Sequence, residues 1–338
     1  MLEDYANVFN ERKLYLRFNG LMKVFIENCK ETKIKGNVAR RVSLFNHYYS
    51  EFRYQLYCAY YFLGQLDLLE KTIMQQYNEL KPFIMFQNEA KMEYDSFIVH
   101  EFLLRIMPFL NTLFILQDRL MVIIGLFLDI EYQDPVRKPN ESDKVYNRKV
   151  ETFRSKLQSF AAYATNYSSI LKPFPEEVQE LVVNYWNQNG QEIRLYRNLN
   201  QHQFSLLEEA YIVREPTERF ILYLPDNPNE HDFEKLLYDK KRVAIDYFNS
   251  EINVFHDFIE GLMKILGVAP ERHEFATSTS PNANKIKDYN EGDLMKIWVI
   301  KNDAILFSVG KKTPDGEAAK LAMRRIKNKI VGIKWDIK

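Results

Sequence analysis

FLLRIMPFLNTLFILQDRLMVIIGLFL, residues Phe102 to Leu128, is the stretch whose reading decides the fold. It is apolar on nearly every side, so as a helix it is either a membrane span or the central rod of a helical core. Arg105, Asp118 and Arg119 interrupt it, and no uncharged run reaches the ~18 to 20 residues that a bilayer span requires. The stretch therefore predicts a core helix, capped by Asp95 or Ser96 and ending near Asp129, around which the other helices pack.

On its N-terminal side, Val42, Phe45, Tyr49, Phe52, Leu56 and Tyr60 recur every three or four residues, which predicts a long helix from Asn37 to about Tyr77, ending before Pro82. On its C-terminal side, QDPVRKPNES (Gln133 to Ser142) is a loop, followed by a helix from about Asp143 to Tyr167. Pro175 with Glu176 and Glu177 opens another helix, because proline suits the first turn and acids suit the helix dipole. Asn189-Gly190 reads as a turn, and Glu192 to Glu209 as a helix with Leu195, Leu199, Leu206 and Leu207 inside. RFILYLP (Arg219 to Pro225) is strand-like, and a helix from about Arg242 to Leu266 returns the chain to the bundle.

The expected class is thus mainly α: a bundle of long helices with a small C-terminal α+β appendage. Residues 1–36 form an N-terminal helical extension, 37–266 the bundle with a short β-like insertion near 211–231, 267–292 a linker rich in small and polar residues, and 293–338 the appendage. The appendage reads strand, strand, helix, strand. Its last part is basic, and a helix displaying Lys320, Arg324, Arg325 and Lys327 on one side would contact RNA.

The whole chain of 338 residues balances 46 basic against 46 acidic side chains, which disfavours polyanion binding over the entire surface and leaves the appendage as the contact. With 46% hydrophobic and 27% charged residues, disorder over most of the length is excluded. Two cysteines, Cys29 and Cys58, without any Cys-x-x-Cys pair, exclude a disulfide framework and a thiolate zinc site. They fit a reducing compartment, and the N-terminus has no signal-peptide pattern, so a cytoplasmic protein is expected. There is no Gly-x-Gly-x-x-Gly, Walker loop, His-Glu-x-x-His or Gly-x-Ser-x-Gly, which weighs against nucleotide-driven and serine-hydrolase chemistry. His100-Glu101 and His273-Glu274 lack a second histidine at zinc-protease spacing, so no metal and no cofactor are assigned.

Chemistry concentrates in EIRLYRNLNQHQ (Glu192 to Gln203). On a helix Asn198 and His202, four residues apart, share a face, and the long Arg197 side chain can swing toward the same spot. Arginine forks onto phosphate oxygens, and histidine, with an ordinary pKa near 6.5, moves a proton at neutral pH. Without a metal, these groups suit attack by an RNA 2′-hydroxyl on its own phosphodiester.

Arg197-Asn198-Leu199-Asn200-Gln201-His202 resembles the motif of the HEPN superfamily: an arginine, usually followed by Asn, Asp or His, with a histidine four to six residues after the arginine. The resemblance extends to a bundle of long helices and covers roughly Asn37 to Leu266. It implies a HEPN-like homodimer with two facing motifs, acting as a metal-independent endoribonuclease in a toxin–antitoxin or phage-defence setting, with RNA and an antitoxin or regulatory protein as partners and no membrane. It also makes Arg197 and His202 catalytic and Asn198 supporting.

Three rivals accompany this reading. Arg41 and His47, six positions apart, also fall within the allowed spacing, but Val42 follows the arginine and the aromatic run FNHYYSEF marks a buried, hydrogen-bonded histidine. Pro225-Asp226 followed by Asp239-Lys240-Lys241 matches restriction-type nucleases, in which two acids hold Mg²⁺ beside a lysine. That site needs both pieces on adjacent strands, and Phe233 to Asp239 lacks strand alternation, so a turn and a helix start are expected. The third is a non-catalytic module of the same bundle that binds RNA or protein.

Overall fold

The computed structural model of the chain describes a few positions within 20–28, then residues 38–83, 88–91, 97–165, 169–202, 209–214 and 216–268, and four strands within 294–337. For those four strands, and for a few helical positions including Asn200 and His202, it describes the backbone alone. The chain divides into two compact units, Arg17–Pro270 and a second made of Met1–Leu16 with Glu271–Lys338. It is mostly helical, with long helices and a small four-stranded antiparallel sheet.

In the first unit, α1 (Val38–Leu80) lies along α2 (Phe97–Phe127). Phe45, Phe52, Ala59, Leu66 and Ile73 recur every seven residues and are buried, with Tyr49, Leu56, Leu63 and Tyr77 forming a second buried line. A seven-residue repeat keeps one seam of a long helix facing its neighbour, as in a coiled coil. By length and composition α2 could cross a membrane, but 61% of its most apolar window is buried within the unit, the packing of a core helix. Asp95 and Ser96, its expected caps, lie outside the described residues.

The single helix expected from Asp143 to Tyr167 is two, α3 (Asp143–Lys156) and α4 (Phe160–Ala164). The cause is a partner distant in sequence: Asp118 Oδ1 on α2 accepts the backbone N–H of Phe160 at 2.7 Å and starts the chain on a new helical axis. The expected turn at Asn189-Gly190 is also corrected. From α5 (Glu176–Tyr185) the chain passes through a π-helical turn, Trp186–Gly190, directly into α6 (Gln191–His202). Gly190 is buried here and its carbonyl accepts from Gln117 Nε2 at 3.3 Å, so packing keeps helical an Asn-Gly pair that would otherwise turn. Residues 203–208, including Leu206 and Leu207, lie outside the described residues.

The strand-like insertion becomes the middle of a sheet. Strands β1 (Glu89–Lys91), β2 (Ala210–Val213), β3 (Arg219–Leu224) and β4 (Arg242–Val243) follow in that order, each antiparallel to its neighbour. Phe220 to Leu224 are all buried, as befits a central strand covered on both faces. The helix expected from Arg242 begins two residues later, as α7 (Ala244–Ile265), because Arg242 and Val243 pair with β3.

In the second unit β5 (Leu294–Lys301) pairs with β6 (Ala304–Lys311), and β7 (Ala319–Ile326) with β8 (Lys329–Ile337). The helix expected after Asp315-Gly316 is therefore a strand. Its register sets Leu321 opposite Trp335 and Met323 opposite Ile333, while Lys320 is opposite Asp336, a period-two match that overrides helix propensity. Lys320, Arg324 and Arg325 sit on β7 with a register shift between the two arginines, so they do not share a helix face; Lys327 lies outside the described residues.

Candidate functional site

Helix α6 buries Ile193, Tyr196 and Leu199 and sets two arginines against α2. On α2, Asn111, Phe114 and Asp118 follow at spacings of three and four, which places them on one face. Arg194 and Arg197, three residues apart on α6, meet that face in two rungs.

The first rung is ionic. Arg194, only 6% exposed, donates from Nε to Gln117 Oε1 at 2.6 Å and from Nη2 to Asp118 Oδ1, and its guanidinium carbon lies 4.1 Å from the centre of the Phe114 ring. Burial pulls its pKa down, and the Asp118 carboxylate works against that pull. Gln117 continues the network by donating to the Tyr185 hydroxyl at 2.9 Å, and burial raises that phenol well above its ordinary range.

The second rung carries no carboxylate among the described residues. Half-buried Arg197 donates from Nε to Asn111 Oδ1 and from Nη1 to Asn198 Oδ1, each at 3.0 Å, with its guanidinium carbon 4.6 Å from the same Phe114 ring. Among the described residues its Nη2 meets no acceptor. Arg41, Arg105, Arg119, Arg194, Arg219 and Arg242 each reach an acid, namely Asp129, Glu101, Glu51, Asp118, Glu70 with Asp246, and Glu192. Among the described residues Arg197 reaches two carboxamides and a ring but no acid.

Asn198 is exposed, and its carbonyl oxygen is engaged with Arg197. His202 closes α6 five residues beyond Arg197; its side chain lies outside the described residues. Arg197 and Asn198 thus meet as the sequence predicts, whereas Asn111 and Phe114 join them from a helix that the motif does not include. A signal existed, since Asn111, Gln117 and Asp118 are among the few polar residues of a mainly apolar helix, and such groups need partners when buried.

The other side of α6 holds a second polar knot. Glu192 pairs with Arg242 Nη1 at 2.7 Å and accepts from the Tyr247 hydroxyl at 3.2 Å. The Tyr196 hydroxyl donates to the Pro225 carbonyl at 2.7 Å and accepts from Arg242 at 2.9 Å. This knot fastens the loop after β3 to α6.

Pro225-Asp226 directly follows β3, and Asp239-Lys240-Lys241 directly precedes β4, so the two pieces of the nuclease-like pattern do reach neighbouring strand ends. There Asp226 closes the loop: its Oδ2 accepts the backbone N–H of Lys240 at 3.0 Å, and its own N–H donates to the Leu237 carbonyl at 2.7 Å. Lys241 Nζ lies 3.4 Å from Glu89, and Asp239 is exposed. Among the described residues no three His, Cys, Asp or Glu side chains gather as metal ligands. His47 corrects its expectation, for it is exposed rather than buried, and Arg41 turns instead to Asp129 and the Leu126 carbonyl. Aromatic residues around it are buried on the other faces of α1, so the aromatic run did not bury the histidine within it. A surface depression of about 610 Å³, lined by Glu70, Met74, Glu218 and Arg219 among others, includes no residue of α6.

Compared with family models, curated proteins and solved structures, the chain matches none of them.

Proposed function

We propose that the chain is a metal-independent endoribonuclease of the cytoplasm, working as a homodimer in a toxin–antitoxin or phage-defence setting. The observation that carries this reading is the Arg197 guanidinium, held in place by two carboxamides and a ring with no carboxylate partner among the described residues. A cation in that condition suits an anion, and Nη2 is the group that would donate to a non-bridging phosphate oxygen. His202, five residues along the helix, would take the proton of the 2′-hydroxyl as its oxygen attacks phosphorus. The bond from phosphorus to the 5′-oxygen then breaks, and that oxygen receives a proton, leaving a 2′,3′-cyclic phosphate and a 5′-hydroxyl. One site offers one acid–base histidine and the step uses a base and an acid, so a second copy of the chain would supply the other His202. Asn198 would fix the direction of Arg197.

The test is cleavage of a mixed RNA pool in EDTA by wild-type protein and by His202→Ala, with analysis of product ends. The expected result is cyclic-phosphate ends from wild type and no cleavage by the variant. Binding without cleavage would overturn the nuclease in favour of an RNA- or protein-binding module. Cleavage only after Mg²⁺ addition would overturn it in favour of Asp226 and Asp239.

A further inference from the structure

Asn111 and Asp118 lie on one face of α2 and meet two arginines of α6 across the same Phe114 ring, yet one is a carboxamide and the other a carboxylate. Their geometric tasks are alike: each accepts one guanidinium N–H. Their electrostatic results are opposite. Asp118 neutralises Arg194, whereas Asn111 orients Arg197 and leaves its charge intact. At a half-buried position that difference is large, since a carboxylate at hydrogen-bond distance attracts far more strongly than a neutral oxygen and would compete with any incoming anion.

Asn111 also decides which edge of Arg197 is offered. An arginine grips a phosphate side-on through Nε and Nη2 or end-on through Nη1 and Nη2, and here Nε is held by Asn111 and Nη1 by Asn198. The anion is therefore met from the far end of the guanidinium, at Nη2. We infer that Asn111 is a positioning residue of a phosphodiester site: it points Arg197 at one phosphate oxygen and, by being uncharged, keeps that arginine able to bind it. This rests on the reading of Arg197 as the phosphate contact.

The experiment measures binding of a 2′-O-methyl RNA oligomer, which cannot be cleaved by 2′-hydroxyl attack, by the full chain and three variants. Asn111→Asp preserves shape and adds a counter-ion; it is expected to weaken binding about tenfold or more, the scale of one charge-assisted hydrogen bond, with no fall in the thermal midpoint. Arg197→Ala should lose as much. Asn111→Leu removes the acceptor without adding a charge and should lose less. If Asn111→Asp keeps the affinity while Arg197→Ala loses it, the role of Asn111 is overturned and that of Arg197 stands. The inference also falls if Asn111→Leu loses as much as Asn111→Asp, because charge would then not be the point. Wild-type protein that does not bind, or that binds equally after Arg197→Ala, overturns the reading of Arg197 itself.

Discussion

Glu251 on α7 accepts a hydrogen bond from Nδ2 of Asn189 at 3.0 Å, joining the last long helix to the π-helical turn that leads into α6. Its other carboxylate oxygen is buried and meets no hydrogen-bond partner among the described residues, and the residue is only 4% exposed. Burial pushes the carboxyl up to about 7, with Glu192 adding to the rise and Asn189 and Arg242 opposing it.

That shift makes stability depend on pH in a definite direction. An unfolded chain releases this proton near the ordinary 4.5, whereas the folded chain holds it to about 7. Between those values the folded state binds more protons, so the contribution of Glu251 to stability falls as pH rises through the window and levels off above it. Glu251→Gln removes the dependence. Urea unfolding at pH 5 and pH 8 should show the variant gaining on wild type at the higher pH, by on the order of 3 kcal/mol at most. A difference that is the same at both values would count against the buried, protonated carboxyl.

Asp118 has two tasks, as counter-ion to Arg194 and as acceptor for the Phe160 N–H. Asp118→Ala leaves a buried guanidinium unpaired and should cost about 3–5 kcal/mol in chemical unfolding. Pairing Asp118→Leu with Arg194→Met removes both charges and should recover part of that loss, leaving the orphaned Phe160 N–H as the remainder. A double variant no more stable than Asp118→Ala would mean that the ion pair is not the source of the cost.

The long helices were legible because their spacing is local: α1 repeats its buried residues every seven, and α2 is apolar nearly all round. What was not legible depends on partners distant in sequence. Asp118 breaks the helix after Lys156, and packing around Gly190 keeps Asn189-Gly190 helical where the pair alone would turn. In the same way the β7 stretch taken alone predicts a helix, since its alternation gains meaning only from Trp335 and Ile333 across the hairpin. At the site, Arg197 and Asn198 stood out as adjacent polar residues, but Asn111 is 86 residues away from Arg197 in the chain and nothing local couples them.

The turn at Gly190 can be tested by adding one methyl group. A Cβ there would come within 2.7 Å of the Tyr185 ring, which is stacked on Phe258 at 4.2 Å with an interplanar angle of 7° and so has little room to yield. Gly190→Ala should therefore destabilise by about 1–3 kcal/mol, the usual cost of overpacking. At Gly261 the added Cβ would meet only the end of the Leu181 side chain, at 2.9 Å, and a flexible tip can move. Thermal unfolding should show the smaller loss for Gly261→Ala; equal losses would mean that the aromatic stack does not set the conformation of the turn.

Asp226 separates the two nuclease chemistries. Its carboxylate holds the backbone of Lys240 and its own N–H holds Leu237, so its role in the fold is to close the loop between β3 and β4. Asp226→Ala removes one charge-assisted hydrogen bond to backbone and should lower stability by about 1.5–3 kcal/mol, with faster proteolysis between residues 226 and 241. Tyr196 still donates to the Pro225 carbonyl in that variant, so α6 keeps its contact with the loop and the rung between Arg197 and Asn111 is undisturbed. RNA cleavage in EDTA should consequently persist in Asp226→Ala below its unfolding temperature and vanish in His202→Ala. The opposite pattern, cleavage lost with Asp226 and kept without His202, would transfer the chemistry from α6 to the strand ends.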